Sequence, residues 1–176
     1  FMSRLQPPVQ YNPVPGQMTM LYNEALQFLY GLTNYERTAP DNVDSALKLE
    51  RMRILLAALG NPHERFKVIH VAGTKGKGST SAMLESCLRQ FGFRTGLYIS
   101  PHLSTFRERM RVNGQLVAPE VVTLLAEKVK AVMEQAPGVT TFEAITAMAL
   151  LHFSREDVEW AVIEVGLGGR LDATNV

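Results

Sequence analysis

Residues 71–80 read Val-Ala-Gly-Thr-Lys-Gly-Lys-Gly-Ser-Thr, and their flanks decide the fold. The apolar run Phe66 to Val71 predicts a strand leading in, and helical spacing from Ser79 to Phe91 predicts a helix leading out. Strand, glycine turn and helix N-terminus together cradle a polyphosphate, because unpaired amides and the positive end of the helix dipole face the anion. The candidate nucleotide-binding residues are Gly73, Thr74, Lys75, Gly76, Lys77, Gly78, Ser79 and Thr80. Lys77 would reach the outer phosphates, and Ser79 or Thr80 could offer a hydroxyl to phosphate or metal. Gly78 separates Lys77 from the hydroxyl residues, which departs from the general spacing of such loops. Glycines this dense can also make an ordinary turn, but here the lysine, the hydroxyls and both flanks agree on a nucleotide.

Before this loop the chain divides into an arm and two helices. Residues 1–18 hold Pro7, Pro8, Pro13 and Pro15 with little periodicity, and are expected to be extended or disordered. Helical spacing begins near Thr19, with Leu21, Ala25, Phe28 and Leu29 on one face. A polar stretch from Thr33 to Asp44 separates it from a second helix, expected over Val43 to Leu59 and stopped by Gly60-Asn61-Pro62.

Beyond the loop, strands are predicted at 66–72, 94–99 and 159–165, and helices at 79–91, 119–136 and 141–155. Asn113-Gly114, between two short extended pieces, signals a hairpin. Strands alternating with helices of this length imply an α/β fold with a doubly wound, mostly parallel sheet. In such sheets ligands collect outside the carboxyl ends of the strands, so the residues there matter most. The first strand delivers the phosphate loop. The second delivers Ser100-Pro101-His102, and the third ends in Glu164 followed by the run Gly166 to Asn175.

An acidic residue ending a strand beside a phosphate loop is a natural magnesium ligand, since a hard cation takes carboxylate, hydroxyl, water and phosphate oxygens together. Ser100 could add a second oxygen or simply turn the chain with Pro101, and His102 could be a satisfied loop histidine or a substrate contact. His70, inside the first strand, reads as a packed core residue. Arg107, Arg109 and Arg111 would share one face of an extended segment, free to meet an anion or to be solvated. Thr140 and Glu143 fit a helix cap with an acid in the first turn.

Bulk properties narrow the partners. A chain of 176 residues that is 46% hydrophobic can bury one core. A formal charge of +1 gives no electrostatic case for nucleic acid or an anionic membrane surface. A single cysteine rules out an internal disulfide framework and suits a reducing compartment, and with no apolar run of spanning length the protein is expected to be cytoplasmic. Cys87, in register with Met83 and Phe91, reads as part of a buried stripe.

Four stretches carry a family resemblance: His70 to Thr80, Leu97 to Gly114, Thr140 to Thr146 and Ile163 to Val176. With them, the chain from about residue 19 onward resembles the N-terminal part of the folylpolyglutamate synthases and bifunctional dihydrofolate synthases of the Mur ligase superfamily. The resemblance implies an incomplete Mur ligase-type ATPase domain over 19–176. It further implies a ligase that uses ATP and Mg2+ to add L-glutamate to a folate or dihydropteroate carboxylate through an acyl phosphate. Lys77 and Glu164 would be catalytic, and Ser100 and Glu164 would hold the metal. Thr140, Thr141, Phe142 and Glu143 would form one wall around the pterin, and Leu171, Asp172 and Ala173 the other. Lys75 stands where many relatives carry asparagine. Family members are much longer, with a C-terminal glutamate-binding domain, and the whole enzyme is expected to be a monomer. The 176 residues alone are expected to bind nucleotide without turning over.

Overall fold

The computed structural model describes residues 20–34 and 49–176. The arm expected over 1–18 and the beginning of the helix expected from Val43 lie outside the described residues. Among them are five strands: β1 (Lys67–Val71), β2 (Thr95–Tyr98), β3 (Met110–Val112), β4 (Gln115–Leu116) and β5 (Trp160–Glu164). They form one sheet in the order β1-β5-β2-β3-β4. β5 runs parallel to both neighbours, with Val71 opposite Glu164 on one side and Tyr98 opposite Ile163 on the other. The expected parallel core is therefore present, and each predicted strand is trimmed by a residue at either end. β3 and β4 extend the sheet antiparallel, joined through Asn113 and Gly114, both at positive φ as a tight hairpin requires.

The helices are α1 (Tyr22–Gly31), α2 (Leu49–Ala58), α3 (Lys77–Gln90), α4 (Pro119–Val132) and α5 (Thr141–Arg155). The helix expected to reach residue 136 tightens after Val132 into a 3-10 turn, Met133–Gln135. α5 is buried almost all round, from Ala144, Ile145 and Met148 on to Phe153, and it forms the middle of the core. It packs between the sheet and a layer made by α1, α2 and α4, while α3 covers the opposite face of the sheet. Gly96 permits the close approach of α5 to β2, because a Cβ there would lie 2.9 Å from the Phe153 ring.

Two packing expectations fail. Leu21, placed on the buried face of the first helix, is the residue before α1 and is largely exposed, whereas Ala25 and Leu29 are fully buried. Cys87 is also exposed, as are Met83 (62%) and Phe91 (82%). α3 turns a different side to the sheet: Ser81 and Glu85 are buried, and the Glu85 carboxylate accepts from Thr95 Oγ1 at 2.6 Å and from Arg89 Nε at 3.2 Å. A buried acid with two partners replaces the apolar contact that the spacing suggested.

Candidate nucleotide and substrate site

β1 ends at Val71, and the chain reaches the first residue of α3, Lys77, through a turn whose last residue, Gly76, has φ 74. That left-handed conformation suits glycine and starts the helix two residues earlier than the spacing predicts. Gly73, Thr74, Lys75, Gly76, Ser79 and Thr80 are all exposed, so the N-terminus of α3 opens to solvent. The Lys77 side chain passes beside Gly73, where a Cβ would lie 3.6 Å from its Cγ. Among the described residues Lys77 has no ion-pair partner, which leaves its ammonium available to an incoming anion.

Glu164 faces this loop from the end of the central strand. It is only 7% exposed, and a Cβ on Gly78 would lie 3.3 Å from its carboxylate. Gly78, the residue that breaks the usual loop spacing, is thus the one over which the acid sits. A side chain there would crowd the carboxylate out of place. Glu164 Oε2 accepts the Ser100 N–H at 3.0 Å, which brings the segment after β2 to the same point. Ser100 is joined to Pro101 by a cis peptide bond. No cluster of three His, Cys, Asp or Glu occurs among the described residues. One carboxylate beside a phosphate loop fits magnesium arriving on a nucleotide, which keeps waters and phosphate oxygens as its other ligands.

Next to Ser100 opens a cavity of about 850 Å³. Its walls include Thr140, Phe142 and Glu143 at the start of α5, and Leu171, Asp172 and Ala173 from the segment after β5. Six of the seven expected substrate residues therefore line one space. Thr141 does not: it is fully buried, and its hydroxyl donates to the Leu29 and Leu32 carbonyls at 2.9 and 3.2 Å. It anchors the end of α1 to the start of α5. Phe142 lies against the backbone of Gly166, where a Cβ would fall 2.5 Å from its ring, and Tyr98 stands 6.2 Å away, centroid to centroid.

The two acids in the walls differ in what they can still accept. Glu143 takes Arg51 Nε at 3.0 and 2.9 Å on its two oxygens and Arg51 Nη2 at 2.8 Å. It also takes the Thr140 N–H at 2.8 Å and the Thr140 hydroxyl at 2.9 Å, completing the cap of α5. That carboxylate is saturated. Asp172, 1% exposed, accepts Thr174 N and Oγ1 on Oδ1 at 3.0 and 2.5 Å, and Leu167 N on Oδ2 at 2.7 Å. Its Oδ2 therefore keeps acceptor capacity for a ligand.

Some other lining residues carried no site reading in the sequence. Tyr22, Leu26 and Tyr30 form a stripe on α1 that faces the cavity, and Phe106 lies 6.3 Å from the Tyr30 ring. Their spacing of four along a helix was the available signal. His102 and Arg109 also line the space, with Arg109 Nε donating to His102 Nδ1 at 2.9 Å, so the histidine is a cavity residue with a partner. The three arginines do not share a face, because Phe106–Arg109 is a 3-10 turn instead of a strand. Arg107 Nε donates to the Val117 carbonyl at 2.5 Å, Arg109 is buried, and Arg111 alone lies on β3. Glu108 closes that turn by accepting the amides of Leu103, Ser104 and Thr105 at 2.8–3.1 Å, and the Leu103 and Thr105 bonds chiefly hold its carboxyl below the usual range.

A parallel sheet with a phosphate loop, an acid at the end of the central strand and a cavity alongside defines a nucleotide-binding α/β domain. Comparison with known proteins makes this specific. Human mitochondrial folylpolyglutamate synthase is 40% identical over 177 residues, covering 93% of this chain and 30% of that protein. The crystal structure of folylpolyglutamate synthase from Thermotoga maritima superposes with a TM-score of 0.76 at 43% identity, covering 88% of this chain and 35% of that one. A folylpolyglutamate synthase complex with AMPPCP and folate gives 0.79 at 36% identity, covering 89% and 38%. No family model matches the chain. Over about nine tenths of its length the chain is thus similar to folylpolyglutamate synthases, and its sheet is that of the Mur ligase-type ATPase domain. It spans 18–31% of the length of the curated relatives it matches.

Proposed function

We propose that this chain is the ATP- and pterin-binding part of a ligase that joins L-glutamate to a folate carboxylate. The observation that carries the reading is the shared position of Ser100, which bonds Glu164 over the phosphate loop and lines the adjoining cavity. A relative binding AMPPCP and folate together supports two ligands in such neighbouring places. The family chemistry converts a folate carboxylate to an acyl phosphate, which the glutamate amine attacks with loss of phosphate. A carboxylate is a poor electrophile at neutral pH, and the phosphate supplies a leaving group. Magnesium, when bound, would screen the charge that gathers on the transferring oxygens.

In this reading the turn from Gly73 to Gly76 and the first amides of α3, with the hydroxyls of Ser79 and Thr80, hold the phosphates, and Lys77 neutralises the outer ones. Glu164 holds the metal from the protein side, with Ser100 as the second candidate ligand. Phe142 offers an aromatic face to the flat pterin, and Asp172 accepts its amino or ring N–H. Thr140, Leu171 and Ala173 shape the walls, while Glu143 holds Thr140 in place and makes no contact of its own. Dihydropteroate and tetrahydrofolate both satisfy these contacts. The expectation of a monomeric, cytoplasmic enzyme belongs to this proposal; no helix among the described residues is long and apolar enough to cross a membrane.

The test is calorimetric titration of the chain with Mg-ATP and with folate, using Lys77→Ala as the control. Saturable binding of both, with ATP alone lost in the variant, supports the reading. A folded chain that binds neither overturns it for these residues. A second outcome, a binding module without turnover, is separated by glutamate-dependent ADP release. None is expected from the chain alone.

A further inference from the structure

We propose that His70 is a positioning residue that fixes Asp172 in the wall of the cavity. The inference rests on reading that cavity as the pterin site. His70 sits on β1, paired with Ile163, one residue before the strand ends. Its Nε2 lies 2.7 Å from Thr174 Oγ1, and the same hydroxyl lies 2.5 Å from Asp172 Oδ1. A hydroxyl has one proton to give. An ionised carboxylate can only accept, so Thr174 donates to Asp172 and must accept from His70. The proton of the neutral imidazole is therefore on Nε2.

The three side chains form a directed chain from β1 to the cavity. Without the imidazole N–H, the Thr174 hydroxyl loses the donor that orients it, and its bond to Asp172 Oδ1 is no longer held in one direction. Asp172 would keep the amides of Thr174 and Leu167, but the Thr174 hydroxyl that also donates to it would be free to rotate. Its Oδ2, the atom with spare acceptor capacity, would no longer be held at one angle to a ligand. A histidine expected only to pack is thus half-buried and hydrogen-bonded toward the substrate wall.

Titrations with pteroic acid and, separately, Mg-ATP test this in His70→Phe, His70→Gln, Asp172→Asn and the His70→Phe/Asp172→Asn double variant. The expected result is a roughly five- to tenfold loss of pteroate affinity in His70→Phe, with ATP affinity within a factor of two. His70→Gln, whose amide can still donate to Thr174, should recover most of the loss. The double variant should bind no more weakly than Asp172→Asn. Should His70→Phe fail to fold, Thr174→Val removes the same link and carries the same expectation. Unchanged pteroate affinity in His70→Phe, beside a clear loss in Asp172→Asn, overturns the proposal and leaves the pterin site standing. Equal loss of both ligands overturns it too, because it marks general destabilisation. If neither Asp172→Asn nor Phe142→Ala alters pteroate binding, or the parent chain binds none, the pterin reading fails and this inference fails with it.

Discussion

Single residues divide the proposed site between its two ligands. Glu164 lies against Gly78 and Ser100 and is not among the residues lining the cavity, so Glu164→Ala should weaken Mg-ATP binding far more than folate binding. Loss of one partner from a desolvated charge pair typically costs about 2–5 kcal/mol. ATP affinity within a factor of two of the parent, measured by calorimetry, would remove Glu164 as the metal ligand. Phe142→Ala should do the reverse, lowering folate affinity first, and fluorescence titration reads this directly. Glu164 was singled out by a local pattern, an acid closing an apolar strand beside a phosphate loop, whereas Phe142 was assigned only through the family resemblance. The sequence could not show that Glu143 is saturated while Asp172 is not. That distinction depends on Arg51, far away in sequence on α2.

At the scale of elements, the contact between β2 and α5 is set by a missing side chain. Gly96→Ala would place a methyl 2.9 Å from the Phe153 ring in a helix buried almost throughout. Overpacking of this kind costs about 1–3 kcal/mol, so thermal unfolding should shift down by several degrees. An unchanged midpoint would mean that α5 can shift away from the sheet freely. Strand and helix order was readable here because hydrophobic periodicity is a property of each segment alone. The orientation of α3 was not: Met83, Cys87 and Phe91 keep helical spacing and still face outward, since Glu85 finds Thr95 and Arg89 beneath the helix. The arginine segment misled in the same way, because Glu108 curls it into a 3-10 turn through three backbone amides.

For the whole molecule, stability should depend on pH through one buried histidine. His152 lies in α5 with its pKa pushed down to about 4, chiefly by burial and further by Arg155 and Arg94. Its value in the unfolded chain is near 6.5, so between these limits the unfolded state binds the proton and the folded state does not. The stabilisation is therefore complete above about pH 6.5 and is lost as pH falls toward 4, by about 3 kcal/mol. His63 and His70 are lowered as well, in both cases mainly by burial, and add to the same trend. Denaturant unfolding at pH 7 and pH 4.5 should show the drop, and His152→Leu should flatten it. Equal slopes in parent and variant would assign the acid sensitivity elsewhere.

The pairing of β1 with β5 has a consequence in time as well as in space. Val71, where the strand into the phosphate loop ends, stands opposite Glu164 because two strands distant along the chain lie side by side. During synthesis the loop emerges early, yet nothing can stand across from it until the strand carrying Glu164 has followed and docked between its neighbours. The nascent protein would thus carry its phosphate-binding motif without a partner for the metal while the residues from 81 to 164 are still being added. Acquisition of magnesium-dependent nucleotide affinity would then mark the moment at which the sheet closes.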